Sequence, residues 1–154
     1  MNLVAQYTPS ISGEVLCPGD KSISQRAVII GSLLNEDIEI SGFLNGEDPI
    51  STVNALNAIG SSIKINGTSV SIKKRDIPFK DPSVNVDLGN SGTGMRLMMG
   101  LISSLGIKAT LVGDESLTKR PMLRVANPLN DMGATVICNE GKPPVKILDG
   151  LIKD

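Results

Sequence analysis

Histidine and tryptophan are both absent from the 154 residues, and aromatic side chains make up only 2% of the chain. Without histidine, neither Ser-His-Asp nor Cys-His catalysis is possible within this sequence, nor is a histidine metal site. Without aromatics there are no stacking platforms of the kind single-strand nucleic-acid binders use. A surplus of positive charge is missing too: 15 Lys and Arg face 16 Asp and Glu, a formal net charge of -1. That excludes bulk affinity for a nucleic-acid polyanion. The two cysteines, Cys17 and Cys138, lack any CxxC spacing. A disulfide between them is open in principle, but lone cysteines of this kind are more often small core residues. No apolar run approaches the roughly 20 residues of a membrane span. The start, Met1 to Tyr7, has neither a basic region nor a long apolar stretch. The expectation is a cytoplasmic protein with no leader, no membrane partner and no nucleic-acid partner.

What the chain does have is Ile, Leu, Val, Met and Ala in quantity, within a hydrophobic share of 40%. That is enough for one ordinary domain with a sizeable core. Residues 3–7 and 12–17 read as two short strands of a hairpin. Ile23, Ala27, Ile30, Leu33 and Leu34 follow helical spacing. Ile38, Ile40 and Phe43 alternate as a strand. A second helix starts at Gly46-Glu47-Asp48-Pro49, where acids suit the positive helix end, and stops at Gly60. Strands 62–65 and 69–72 flank Asn66-Gly67, a strong hairpin signal. After a polar link the order recurs: strand 84–88, a glycine-rich turn 89–94, helix 95–104, strand 109–112, helix 121–132, and strands 135–138 and 145–148.

The recurrence is visible in the residues. Leu56-Asn57-Ala58-Ile59-Gly60 resembles Leu129-Asn130-Asp131-Met132-Gly133, and Gly31 and Gly42 match Gly100 and Gly113. Such a repeat means one βαβαββ unit set against a copy of itself.

Three polar clusters lie at turns next to predicted helix starts. The first is Lys21, Ser22 and Arg26, behind Pro18-Gly19-Asp20. Helix N-termini attract anions through unpaired N–H groups and the dipole, and cations placed there without an anion are mildly unfavourable. Ser22 reads equally as a plain N-cap. The second cluster is Asn90-Ser91-Gly92-Thr93-Gly94 with Arg96. Its glycines allow a ligand close to the backbone, and Thr93 can cap or donate; it is neither GxGxxG nor a P-loop. The third is Thr118-Lys119-Arg120-Pro121, whose guanidinium suits a carboxylate or phosphate. Glu47 and Asp48 read as helix capping rather than acid–base groups, and Met95, Met98 and Met99 as core.

At these clusters the chain resembles the 5-enolpyruvylshikimate-3-phosphate synthase family. The matching pieces are Pro18 to Arg26, Leu88 to Arg96, and Leu117-Thr118-Lys119-Arg120-Pro121-Met122. Asp20 and the form of the third piece look like the class II branch, in which histidine usually stands where Gln25 does here. The resemblance implies transfer of the enolpyruvyl group of phosphoenolpyruvate to the 5-hydroxyl of shikimate 3-phosphate, with no metal and no organic cofactor. It implies that Lys21, Ser22 and Arg26 hold shikimate 3-phosphate. Lys21, as the catalytic lysine, also reaches phosphoenolpyruvate, with Asn90, Gly92, Thr93 and Arg120. Gly92 stands where glyphosate-sensitive members keep glycine, so no methyl should block that inhibitor.

The implied fold is α/β (α+β), an inside-out α/β barrel of the enolpyruvyl transferase type. Members are far longer, with two domains of three repeats each. On that pattern residues 1–18 are strands of the other domain, 19–83 the first repeat and 84–154 the second. The expectation is an N-terminal portion that offers half a site and is inactive alone, with uncovered apolar faces that favour self-association. Two alternatives differ: the sister enolpyruvyl transferase acting on UDP-N-acetylglucosamine, or a non-catalytic anion-binding or assembly fragment. The sister enzyme has Lys-Asn where this chain has Lys21-Ser22, and a loop cysteine with no counterpart near Thr118.

Overall fold

The structure, a computed structural model, describes residues 3–151; residues 1, 2 and 152–154, the outer ends of the segments 1–18 and 84–154, lie outside it. Four helices and seven strands follow in order: α1 (Lys21–Leu33), β1 (Ile38–Ile40), α2 (Glu47–Ala58), β2 (Ile63–Asn66), β3 (Ser69–Ile72), β4 (Val86–Asp87), α3 (Gly92–Ser104), β5 (Ala109–Val112), α4 (Leu123–Asp131), β6 (Thr135–Asn139) and β7 (Lys142–Asp149). One 3-10 turn, Leu117–Lys119, precedes α4.

The strands form two sheets, one ordered β1-β3-β2 and the other β4-β5-β7-β6. Within both, the last two strands pair antiparallel, and β1 meets β3 as β5 meets β7. The second sheet has an extra member, β4, parallel to β5. The shared Leu-Asn-x-x-Gly pattern has a physical cause. Asn57 donates to the Ile63 carbonyl and accepts the Ile63 N–H at 3.1 and 2.9 Å. Asn130 does the same to Val136, at 3.0 and 2.7 Å. Each asparagine thus clamps its helix C-terminus to the next strand, and the glycine after it takes the positive φ that ends the helix, +113° at Gly60 and +105° at Gly133.

One apolar cluster runs through both halves, from Val28, Phe43 and Ile72 to Met98, Met99 and Ile147. Helix α1 packs on α2, α2 on α3, and α3 on α4. The methionines Met95, Met98 and Met99 are fully buried, in keeping with the core reading.

Several expectations need correcting. Neither 3–7 nor 12–17 is a strand; these residues are exposed, Val15 and Leu16 at 84% and 98%. A strand needs a partner for its backbone groups, and among the described residues none pairs with this segment. The first half therefore reads αβαββ where the second reads βαβαββ. Cys17 is exposed rather than a core residue, and Cys138 is half-buried; both are free thiols.

The helix over 22–34 forms, yet its apolar stripe faces outward. Ile23 and Ile30 are 69% and 59% exposed, while the inward face is Ser24, Gln25, Val28, Gly31 and Ser32. Small residues let the helix approach closely: a Cβ on Gly31 would stand 2.7 Å from Ile72 Cδ1. The first hairpin turns on Gly67-Thr68, one residue later than predicted, with Asn66 paired to Ser69 and Gly67 at φ +60°. That matches a two-residue turn with glycine first. The strand over 84–88 shrinks to Val86–Asp87. Pro121 does not open α4; Arg120 before it is extended, as a residue preceding proline prefers, and the helix begins at Leu123.

Candidate functional site

Helix α1 is capped by Asp20, whose Oδ1 accepts the Ile23 N–H at 2.7 Å. Ser22 is therefore not the cap, and its hydroxyl makes no side-chain hydrogen bond among the described residues. Lys21 does not point freely into solvent. Its Nζ forms an ion pair with Asp48 Oδ2 at 2.9 Å. Asp48 is thus a partner of Lys21 rather than a helix cap, a relation across 27 residues that no local pattern could reveal. Arg26 stays exposed and turns back on its own helix, Nη1 donating to the Ser22 carbonyl at 3.0 Å.

Helix α3 starts at Gly92, three residues earlier than predicted, and its cap is Ser91 rather than Thr93: Ser91 Oγ accepts the Gly94 N–H at 3.1 Å. Gly92 is buried and Thr93 half-buried. The glycine at 92 has a steric reason. A Cβ there would lie 2.8 Å from Arg120 Nη1 and 3.4 Å from Arg96 Nη1, so the absent methyl makes room for two guanidinium groups.

Arg120 arrives from the turn before α4. That turn is pinned at its far side, where the Met122 N–H donates to the Gly141 carbonyl at 2.8 Å. Arg120 Nη2 donates to Asn90 Oδ1 at 2.6 Å, closing the third cluster onto the second. Arg96 donates to the carbonyls of Gly92 and Pro121 at 3.3 and 3.1 Å, and its buried Nε has no partner. Burial, followed by the charges of Arg124 and Arg120, lowers the Arg96 pKa from its ordinary value. Arg96 and Arg120 thus stand beside the N-terminus of α3, and among the described residues neither is in an ion pair. Such an unneutralised gathering beside the positive end of a helix is an arrangement for binding anions.

The first and second clusters also meet. Gln25, one turn into α1, donates from Nε2 to Ser91 Oγ at 2.8 Å and to Thr52 Oγ1 at 2.9 Å. The second and third clusters thus meet directly across 30 residues, and the helix that carries the first is tied to the second through Gln25 across 66 residues. Sequence reasoning missed Gln25, Thr52 and the roles of Asp48 and Ser91. Only for Ser91 was there a local signal, a serine three residues before Gly94 at a helix start. Among the described residues no group of three or more His, Cys, Asp or Glu side chains could hold a metal, and no helix is long and apolar enough to cross a membrane.

Fold and site together define a two-sheet α/β protein with arginines gathered at a glycine-rich helix start. Comparison with known proteins makes this specific. The family model described as "EPSP synthase (3-phosphoshikimate 1-carboxyvinyltransferase)" matches residues 6–153, and the chain belongs to that family. It is 48% identical over 148 residues to the 3-phosphoshikimate 1-carboxyvinyltransferase of Ruthia magnifica subsp. Calyptogena magnifica, covering 96% of this chain and 34% of that one. To the one of Legionella pneumophila (strain Corby) it is 42% identical over 157 residues, covering 97% and 35%. The solved EPSP synthase of Acinetobacter baumannii superposes with a TM-score of 0.81 at 39% identity, over 88% of this chain and 31% of that one. The chain thus spans about a third of the length of the curated relatives it matches.

Proposed function

We propose that this chain provides the anion-holding portion of an enzyme that joins phosphoenolpyruvate to shikimate 3-phosphate. The 5-hydroxyl of shikimate 3-phosphate gives up its proton and bonds through its oxygen to the central carbon of phosphoenolpyruvate, while the methylene carbon gains a proton as its double bond opens. The bond from the central carbon to the phosphate oxygen then breaks, the methyl carbon loses a proton to restore the double bond, and phosphate leaves. Both reactants are multiply charged anions that repel one another, so fixed cations are needed to hold them in contact and to stabilise charge in the tetrahedral intermediate. In this reading Lys21, Ser22 and Arg26 take shikimate 3-phosphate. Asn90, Gly92, Thr93 and Arg120 take phosphoenolpyruvate, and Lys21 serves both.

The observation that carries the reading is Arg120, bonded to Asn90 and lying where a side chain on Gly92 would be, beside a helix N-terminus and in no ion pair among the described residues. The uncapped Ser22 hydroxyl supports it further. Lys21 must exchange Asp48 for the anion, and an ion pair half open to water can be exchanged at small cost.

The chain's own arrangement follows the same reading. Residues 19–83 and 84–154 act as two repeats of one domain, residues 1–18 serve a different one, and the isolated chain is inactive. The outward apolar stripe of α1, with Ile23 and Ile30 uncovered, favours self-association, which sedimentation velocity would detect as concentration-dependent mass. The functional reading is tested by calorimetry on the chain with shikimate 3-phosphate and phosphoenolpyruvate, separately and together. Binding weakened in the Lys21→Met and Arg120→Ala variants is the expected result. No heat with either compound would sink it.

A further inference from the structure

One buried polar cluster lies outside the residues assigned to the anions above. Gln25 on α1, Thr52 on α2 and Ser91 at the start of α3 all have no solvent exposure. The Gln25 amide Nε2 lies 2.8 Å from Ser91 Oγ, 2.9 Å from Thr52 Oγ1 and 3.3 Å from the Asp48 carbonyl. An amide has two protons, so it serves the two nearer hydroxyls. Thr52 directs its own proton to the Asp48 carbonyl at 3.1 Å, and Asp48 through its side chain holds Lys21. Ser91, besides receiving Gln25, caps α3.

Two facts set this cluster apart from ordinary core packing. Gln25 Oε1 has no hydrogen-bond partner among the described residues, and a buried half-satisfied amide is not what stability alone selects. The space is also fitted to the cluster. A Cβ on Gly94 would stand 2.7 Å from Ser91 Oγ, 3.0 Å from Thr52 Oγ1 and 3.1 Å from Gln25 Nε2. Meanwhile α1 and α3 each pack on or beside α2 but share no extensive packing of their own. The Gln25–Ser91 bond is the side-chain hydrogen bond that joins them directly.

We propose that Gln25 is a positioning residue: its amide holds the N-terminal ends of α1 and α3 at a fixed separation, so that a ligand reaching both ends meets them in register. This rests on the reading that anions are held at those two ends. Lys21 and Ser22 lie within one turn of Gln25, and Asn90 and Gly92 flank Ser91, so a shift of one helix against the other changes the gap between the two half-sites. Geometry errors of about 1 Å in such a site cost up to about a hundredfold.

The test uses the isotope-labelled 154-residue chain with two variants that break the bond from opposite ends, Gln25→Met and Ser91→Gly. Glycine retains most of the capping preference of serine. Ser32→Ala serves as a control, a buried hydroxyl on α1 that bonds only the Val28 carbonyl within its own helix. Residual dipolar couplings of α1 and α3 should fit one rigid frame in the unaltered chain and fail to do so in Gln25→Met and Ser91→Gly. Affinity for phosphoenolpyruvate should fall about tenfold in both, while affinity for inorganic phosphate, small enough to sit at one end, changes less than about twofold. Ser32→Ala should lower the melting temperature and alter neither readout.

A single frame retained in both bond-breaking variants would overturn the inference, as would equal losses for both anions. If one variant fails to fold, the other decides. If the unaltered chain binds neither anion, the functional reading fails, and the dipolar couplings still settle the positioning role.

Discussion

Arg120 Nη2 donates to Asn90 Oδ1 across 2.6 Å, tying together two turns that lie 30 residues apart in the chain. The bond uses one edge of a planar guanidinium and leaves the other group, Nη1, over Gly92. Lysine has a single point of attachment and cannot both hold Asn90 and present a fork to a carboxylate. Arg120→Lys should therefore lower affinity for phosphoenolpyruvate by about tenfold, equivalent to about 1.4 kcal/mol. Thermal stability should move by no more than about 0.5 kcal/mol, since the side chain is half-exposed. Calorimetry and a thermal melt on the same sample check both; unchanged affinity would count against the assigned contact.

The two glycines at the start of α3 should respond differently to alanine. At Gly92 the added methyl meets the far end of Arg120, which can swing away. Gly92→Ala should fold normally but weaken phosphoenolpyruvate binding. At Gly94 the methyl meets three atoms of a buried hydrogen-bonded cluster. Gly94→Ala should destabilise the fold by about 1–3 kcal/mol. Denaturant unfolding of the two variants side by side would expose a reversed order.

Asp48 competes with any anion for Lys21. Asp48→Asn removes that competitor and should raise affinity for inorganic phosphate by severalfold, with a stability loss of about 0.5 kcal/mol for a partly exposed ion pair. Weaker phosphate binding in this variant would show that Asp48 orients Lys21 rather than occupying it.

A second ion pair sets a pH dependence. The hydrogen bond from Lys73, reinforced by the Lys74 backbone N–H, holds the Asp37 carboxyl below its ordinary range, and the same bond raises Lys73. A depressed carboxylate contributes stability above its unfolded pKa and loses it as pH falls through the folded value. A raised ammonium contributes below its unfolded pKa and loses it as pH rises through the folded value. Asp37→Asn should hence melt slightly lower than the parent at neutral pH, and the gap should close in acid as pH falls through the lowered carboxyl's range. Both groups face water, so high salt should shrink the difference too. A gap that persisted in acid would point to a cause other than charge.

Much of this was readable in the chain itself. From residue 21 onward, the order of helices and strands followed from periodicity and turn signals. The Leu-Asn-x-x-Gly recurrence marked two units whose asparagines make the same pair of bonds. The segments around Lys21, Gly92 and Arg120 were enough to identify the family. These features are local: caps, turns and spacing act over a few residues, so their physics is written in neighbouring letters. Whether residues 12–17 form a strand is not local, because a strand exists only where another backbone meets it. Nor is the outward direction of Ile23 and Ile30, which follows from Ser24, Gly31 and Ser32 fitting more closely against the rest of the fold. Tertiary structure alone decided that Asp48 faces Lys21, that Arg120 reaches Asn90, and that a buried glutamine spans from α1 to the cap of α3. Hydrogen bonds and ion pairs fall away within a few ångströms, so what they join depends on how the chain returns on itself in space.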